Sequence, residues 1–188
     1  MNKKQLLGVV GTNGSGKSTF CDYLQTKGFF IVSLSDVIRD YVKTKNLEPN
    51  RNTLTEQANI LKQQHGLDYC AQKTYKNVIQ SDHRSAVFDS IRHPLEIAFL
   101  KEKNVTLIGL ETSLEQRYER IKLRQHKTDF VSYETFKSQD QKEALGKSFG
   151  QSINECLELC EFKLINDSSL EQFYRDIDLV LEKIKVKI

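Results

Sequence analysis

The sequence predicts an α/β protein of three layers, with helices on both sides of a five-stranded parallel sheet. Three observations predict it. Five short runs along the chain are nearly continuous in apolar residues, as strands covered on both faces require. Longer amphipathic segments separate them, as where Leu114, Tyr118 and Ile121 recur at helical spacing. The first run leads directly into a glycine-rich loop and then a helical pattern. Parallel sheets of this kind hold ligands at the carboxyl ends of their strands, and the polar residues of this chain cluster there.

The first run is LLGVV at 6–10. The loop behind it reads Gly11-Thr12-Asn13-Gly14-Ser15-Gly16-Lys17-Ser18-Thr19 and completes the pattern G-x-x-x-x-G-K-[ST]. Its glycines let successive backbone N–H groups turn inward on phosphate oxygens. Lys17 adds a point charge, and Ser18 offers a hydroxyl to Mg²⁺. The helix N-terminus behind the loop is itself an anion site. At about 4 Å and an effective dielectric of about 20, a lysine–phosphate pair is worth roughly 4 kcal/mol before desolvation. ATP and Mg²⁺ are the ligands this loop predicts.

The second run, FFIVS at 29–33, passes into IVSLSDVIRDYV at 31–42. Ser33 or Ser35 suits a helix N-cap, and Asp36 suits the positive end of that helix. Arg39 suits an acceptor phosphate held opposite the loop, because a guanidinium fork matches phosphate oxygens. The structural alternative for Arg39 is a surface ion pair with Asp36 or Asp40. The third run, SAVFD at 85–89, ends in Asp89, the carboxylate expected in the Mg²⁺ shell. Arg92, in FDSIRHP, lies just beyond the same strand end and is a second cation for an acceptor phosphate.

The fourth run is VTLIGL at 105–110. The segment QRYERIKLRQHK at 116–127 follows it, with Arg117, Arg120, Arg124 and Lys127 on one helical face. A polar segment over about 125–148 sits where a lid would close on triphosphate and exclude water. The fifth run, FKLIN at 162–166, opens into LINDSSLEQF. There Asn166 and Asp167 either line the donor base, or Asp167 and Ser168 cap the last helix.

The chain has 188 residues, of which 38% are hydrophobic and 28% charged, enough for one domain with a real core. Two prolines and no low-complexity linker predict a single domain over 1–188, with an acceptor-binding helical arm at about 36–82. No apolar run is long enough to span a membrane and no signal peptide opens the chain, so a cytoplasmic protein without a membrane partner is expected. A net charge of +3 is too weak to argue for nucleic acid. Disulfides are not expected among Cys21, Cys70, Cys156 and Cys160, and the pair Cys156 and Cys160 is too small a ligand set for zinc. These thiols read as small, mostly buried hydrophobes. His65, His83, His93 and His126 show no metal-ligand spacing and read as structural or surface residues.

Taken together, the motifs resemble a P-loop nucleoside monophosphate kinase of the adenylate-kinase type. GTNGSGKST matches the phosphate loop. SLSDVIR resembles the family's Asp-x-x-Arg segment, which implies Arg39 on the acceptor phosphate. DSIR resembles the D-G-F-P-R segment, one residue shorter, and implies the same role for Arg92. Arg120 and Arg124 match the arginine pair at the lid entry, which implies one near the adenine and one on phosphate. A closer likeness, over nearly the whole chain, is to a largely archaeal group of dephospho-CoA kinase-like nucleotide kinases. LEPNRNTLTEQANILKQQHGLDYCAQ, DSIRHPLEI, YETFKSQDQKEALGKSFGQSI and INDSSLEQF carry it. The kinase domain fused to some deoxycytidylate deaminases is similar too.

The resemblance has departures. The glutamine that reads the acceptor base in adenylate kinases is Glu96 here, and a carboxylate only accepts hydrogen bonds. No arginine occurs from 125 to 174, which leaves Lys127, Lys137, Lys142 and Lys147 for the lid. Arg51, in the expected acceptor arm, is either a further cation or a surface residue. The leading expectation is therefore transfer of the γ-phosphoryl group of Mg·ATP to a (deoxy)nucleoside monophosphate. A dephospho-CoA kinase, with Asp36 as base to a ribose hydroxyl, is the second reading. A non-catalytic ATP-dependent switch for a protein or RNA partner is the third.

Overall fold

The structure is a computed structural model and describes residues 4–124, 132–144 and 152–185. Five strands form one parallel sheet in the order β2-β3-β1-β4-β5. They are β1 (Gln5–Gly11), β2 (Phe30–Ser33), β3 (Ser85–Asp89), β4 (Thr106–Glu111) and β5 (Phe162–Ile165). The expected runs become these strands with end shifts of a residue or so. Phe29 drops out of the second strand yet stays buried.

The central strands are apolar on both faces because both faces are covered. In β1, Leu6 and Val10 pack into one core, while Leu7 and Val9 pack into the other. In β3, Ala86 and Phe88 face the first core and Val87 the second. The first core is closed by α4 (Tyr69–Gln80), α5 (Pro94–Glu102) and α8 (Ile153–Glu158). The second is closed by α1 (Lys17–Thr26) and α9 (Leu170–Lys185). The edge strands β2 and β5 are only partly covered, and Ile165 on β5 is exposed. Burial on both faces thus holds for the central strands and not for the edges.

Three helices stand between β2 and β3: α2 (Leu34–Thr44), α3 (Arg51–His65) and α4. Beyond β4 come α6 (Leu114–Arg124) and α7 (Tyr133–Ala144). Ser33 is the N-cap position of α2, but its hydroxyl makes no capping bond and donates to Ser90 Oγ at 2.8 Å instead. Cys21, Cys70 and Cys156 are buried and Cys160 is partly so, with no disulfide among them. Burial first of all pushes the Cys70 thiol up to about 11 and the Cys156 and Cys160 thiols up to about 12, which makes them poor nucleophiles. Among the described residues no helix is long and apolar enough to cross a membrane.

Candidate active site

β1 delivers the chain into the loop at Gly11, and α1 begins at Lys17. Two residues between them need glycine. Gly14 has φ +81°, and a Cβ there would lie 2.8 Å from the Arg117 carbonyl oxygen. Gly16 has φ +100°, and a Cβ there would run into the Asn166 side-chain amide. Gly16 is the N-cap of α1 without a side-chain capping bond, and the first turn holds no acid. The N–H groups opening α1 are therefore left for an anion. Lys17 Nζ donates to Gly11 O at 2.6 Å and Thr12 O at 2.8 Å, so the ammonium spans the loop mouth.

Asp89 ends β3 beside this loop, in register with Ser33 on β2. Its Oδ1 is buried and has no hydrogen-bond partner among the described residues. Oδ2 takes only a long contact from Ser90 Oγ, at 3.5 Å. The Cys21 thiol on α1 registers both site charges. Burial chiefly pushes it up to about 12, Asp89 adds to the rise, and Lys17 opposes it. A buried carboxylate oxygen without a donor, next to a cationic loop, fits a hard cation. Ser18, in the first turn of α1, is exposed. Among the described residues no three His, Cys, Asp or Glu side chains gather at one point.

A hydroxyl cluster that the sequence did not reveal flanks Asp89. Ser33 Oγ lies 2.8 Å from both Ser35 Oγ and Ser90 Oγ, and Ser90 holds φ +64°. Backbone of that kind in a non-glycine residue is uncommon and concentrates at functional sites. Ser33 and Ser35 were readable only as helix caps.

On the acceptor side, Arg39 Nη1 meets Asp36 Oδ1 at 2.5 Å, with both side chains more than half exposed. This is the surface pair that sequence offered as the alternative for Arg39. An exposed pair of this kind is worth about 1 kcal/mol or less, so it holds Arg39 only weakly. Arg92 is exposed just past β3. The Arg51 side chain lies outside the described residues.

Glu96 departs from the expectation. It is not on the cleft surface: it is 3% exposed, and its Oε2 accepts from Arg92 N at 2.8 Å and His93 N at 3.1 Å. It forms a capping box at the start of α5, with His93 Nδ1 accepting from Leu95 N at 3.0 Å. Burial outweighs those N–H groups and the charges of Lys62 and Arg92, and raises the Glu96 carboxyl above its usual range. A raised carboxyl favours folding while protonated. That contribution is complete below the ordinary glutamate range and is lost as pH climbs through the raised folded-state value. Glu96→Gln keeps an oxygen for both N–H groups without the charge. Its stability relative to wild type is expected to rise as pH goes from acid to neutral, measured by urea unfolding across a pH series. A pH-independent difference would contradict the assignment.

The basic stripe on α6 divides by role. Arg117, which sequence placed in the stripe without a task, is 6% exposed and ties three elements together. Its Nε donates to Thr112 O at 3.1 Å, its Nη1 to Asn13 O in the loop at 3.3 Å, and both Nη atoms to the Asp140 carboxylate on α7. Arg120 Nη2 donates to Asn166 O at 2.8 Å, while its Nη1 is buried without a partner among the described residues. Arg124 is exposed. Asn166 is buried, and its Nδ2 donates to Ser15 O at 2.9 Å, so its amide braces the loop. Asp167 Oδ1 accepts from Ser113 N at the start of α6, and Ser169 Oγ accepts from Gln172 N at the start of α9. Ser169 thus takes the capping place considered for Asp167 and Ser168.

Of the expected lid, residues 125–131 and 145–148 lie outside the described residues, with Lys127 and Lys147 among them, as does the side chain of Lys142. The described part is α7, where Lys137 is exposed. Tyr118 on α6 meets the Tyr133 ring edge-on at 5.2 Å and the Phe136 ring at 5.7 Å. These rings and the Arg117–Asp140 pair fasten α7 to α6.

The model of the AAA domain family matches residues 7–144. The chain is 33% identical to a UPF0200 protein of Methanoregula boonei over 170 residues, 89% of this chain and 91% of that one. Among solved structures it is similar to TT1252 from Thermus thermophilus, with TM-score 0.66, 17% identity and coverage of 96% and 98%. It is also similar to a shikimate kinase from Acinetobacter baumannii in complex with shikimate, with TM-score 0.59, 13% identity and coverage of 99% and 96%. At those identities the structures speak for the fold alone, an α/β P-loop kinase fold. The chain belongs to the AAA domain family, whose model spans most of it, and to the UPF0200 proteins.

Proposed function

We propose that this protein transfers the γ-phosphoryl group of Mg·ATP to a small acceptor that carries its own phosphate, a (deoxy)nucleoside monophosphate. One observation carries the reading. A phosphate loop with its lysine at the mouth and a buried carboxylate oxygen that lacks a donor lie at the carboxyl ends of the adjacent strands β1 and β3. Lys17 exchanges its two loop carbonyls for β- and γ-phosphate oxygens. Ser18 and Asp89 would hold Mg²⁺, which would supply charge neutralisation on the transferring group. The loop from Gly11 to Thr19 cradles the phosphates, and Asn166 keeps it in shape. Arg120 would serve near the adenine and Arg124 on the phosphates, as the family resemblance implies.

Arg39 and Arg92 hold the acceptor phosphate. An ionised phosphate attacks without help from a base, so catalysis here is positioning and charge neutralisation. Asp36 is engaged by Arg39, which supports an orienting role beside the acceptor cation over a role as base to a ribose hydroxyl. The single-domain organisation, with α2–α4 as acceptor arm and α7 as part of a lid, follows from the same reading.

Arg39→Ala and Arg92→Ala are each expected to raise the acceptor KM about tenfold to a hundredfold, since a charge-assisted contact contributes roughly 1.5–3 kcal/mol. ATP affinity should change less than about twofold, because neither arginine touches the donor loop. Steady-state kinetics with one substrate saturating separates the two constants. Equal losses toward ATP and acceptor would sink the assignment.

A further inference from the structure

The serines beside Asp89 break two local rules at one contact. Ser33 stands at the N-cap of α2, where a serine hydroxyl ordinarily accepts a backbone N–H of the first turn. Here it makes no capping bond and reaches Ser90 Oγ at 2.8 Å. Ser90 stands just past β3 with φ +64°, a conformation that glycine adopts freely and serine only at a cost. An uncapped helix and a strained turn both lower stability. They meet in a single hydrogen bond, one residue from a buried carboxylate oxygen that has no partner among the described residues.

The hydrogens of this cluster run one way. Each hydroxyl carries one hydrogen, and a carboxylate only accepts. Ser33 gives its hydrogen to Ser90, so in the 2.8 Å contact between Ser33 and Ser35 the donor is Ser35. Ser90 in turn directs its hydrogen to Asp89 Oδ2. That contact is long, at 3.5 Å, and hydrogen bonds at catalytic groups commonly start long and tighten when ligand binds. The chain from Ser35 through Ser33 to Ser90 therefore ends on Oδ2 and leaves Oδ1 open. It also crosses between strands. Ser33 closes β2 in register with Asp89 at the end of β3, so the bond from Ser33 to Ser90 ties the two strand ends together.

We propose that Ser33 is a positioning residue for Asp89. Through Ser90 it holds the carboxylate with Oδ2 engaged and Oδ1 free for the divalent cation that accompanies the nucleotide. The role rests on the reading of Asp89 as a metal ligand in the proposed kinase. Ser33 itself acts only through its neighbour. Outer hydrogen bonds of this kind fix the orientation of a ligating carboxylate and tune its hold on the metal. The hydroxyl at position 90, and not the turn alone, is then the part that matters, which accounts for a serine where glycine fits without strain.

The test reads binding rather than turnover. Calorimetry gives the affinity of the whole chain for the imido analogue of ATP in excess Mg²⁺ and again in EDTA, and the ratio is the gain from the metal. Asp89→Asn, which should lose the gain, is the reference. Ser33→Ala is expected to lower the gain about threefold to tenfold, the reach of one neutral hydrogen bond, with affinity in EDTA changed less than about twofold. Ser33→Thr keeps a hydroxyl and should keep the gain. Ser90→Gly keeps the positive φ, loses the hydroxyl and should match Ser33→Ala. The double variant should lose no more than either single one, because both act along one chain. A lower melting temperature in Ser33→Ala with the gain intact marks the cluster as structural and overturns the proposal, as do additive losses in the double variant. Where Ser33→Ala does not fold, Ser90→Gly decides, and a gain equal to that of wild type overturns the proposal. Loss of the gain in Asp89→Asn but in neither serine variant removes the positioning role alone. If wild type shows no gain, or Asp89→Asn keeps it, the metal assignment falls and takes the positioning role with it. Loss in the serine variants, with no acceptor-stimulated ADP release by wild type, keeps the positioning role and removes the kinase reading.

Discussion

Lys17→Ala is expected to lower acceptor-dependent turnover by at least about a thousandfold while leaving the fold intact, since charge stabilisation carries most of phosphoryl transfer. The side chain donates to Gly11 O and Thr12 O at the mouth of the loop. Lys17 belongs to neither of the two hydrophobic cores, so its truncation leaves their packing in place. Stopped kinetics with an unchanged melting temperature is the expected pair of results. Turnover within about tenfold of wild type would remove Lys17 from the chemistry, because a lost transition-state charge contact of a few kcal/mol has to appear in the rate.

Arg117→Ala is expected to have the largest effect on stability, about 3–5 kcal/mol, because it leaves the Asp140 carboxylate buried without its partner. The Arg117 and Asp140 side chains are 7% and 14% exposed and meet at 2.5 and 2.8 Å in a two-pronged contact. At about 2–4 °C per kcal/mol, the melting temperature should fall by roughly 6–20 °C. ATP affinity should fall with it, since the same guanidinium holds Asn13 O and the Arg117 backbone backs Gly14. Replacing both partners by apolar residues, Arg117→Met with Asp140→Leu, should destabilise less than Arg117→Ala alone. Thermal unfolding of the three variants decides it. A fall of under about 1 kcal/mol for Arg117→Ala would show that water replaces the contact at little cost.

The division between what the sequence disclosed and what it concealed follows from the range of the interactions. The strands were legible because apolar runs covered on both faces leave a local pattern, and SAVFD became β3 without a change of ends. The phosphate loop was legible because a positive-φ turn next to a helix start needs glycine at fixed spacing. Arg117 was visible only as one of a basic stripe. Its role depends on Asp140, which is 23 residues away, and on Asn13, which is 104 away. Asn166 was placed at the right strand end but assigned to the base, whereas its amide reaches Ser15, 151 residues away. Glu96 was judged from a family position, and its local S/T-x-x-E-like spacing to His93 was the unused signal for a capping box.

The most direct measurement of the central claim is ADP release from Mg·ATP with a panel of acceptors. The panel holds each ribo- and deoxyribonucleoside monophosphate, dephospho-CoA and shikimate, with Lys17→Ala as control. The account predicts stimulation by at least one nucleoside monophosphate, saturable in that acceptor and absent in the control. Stimulation only by dephospho-CoA or shikimate, or slow hydrolysis indifferent to every acceptor, would contradict it.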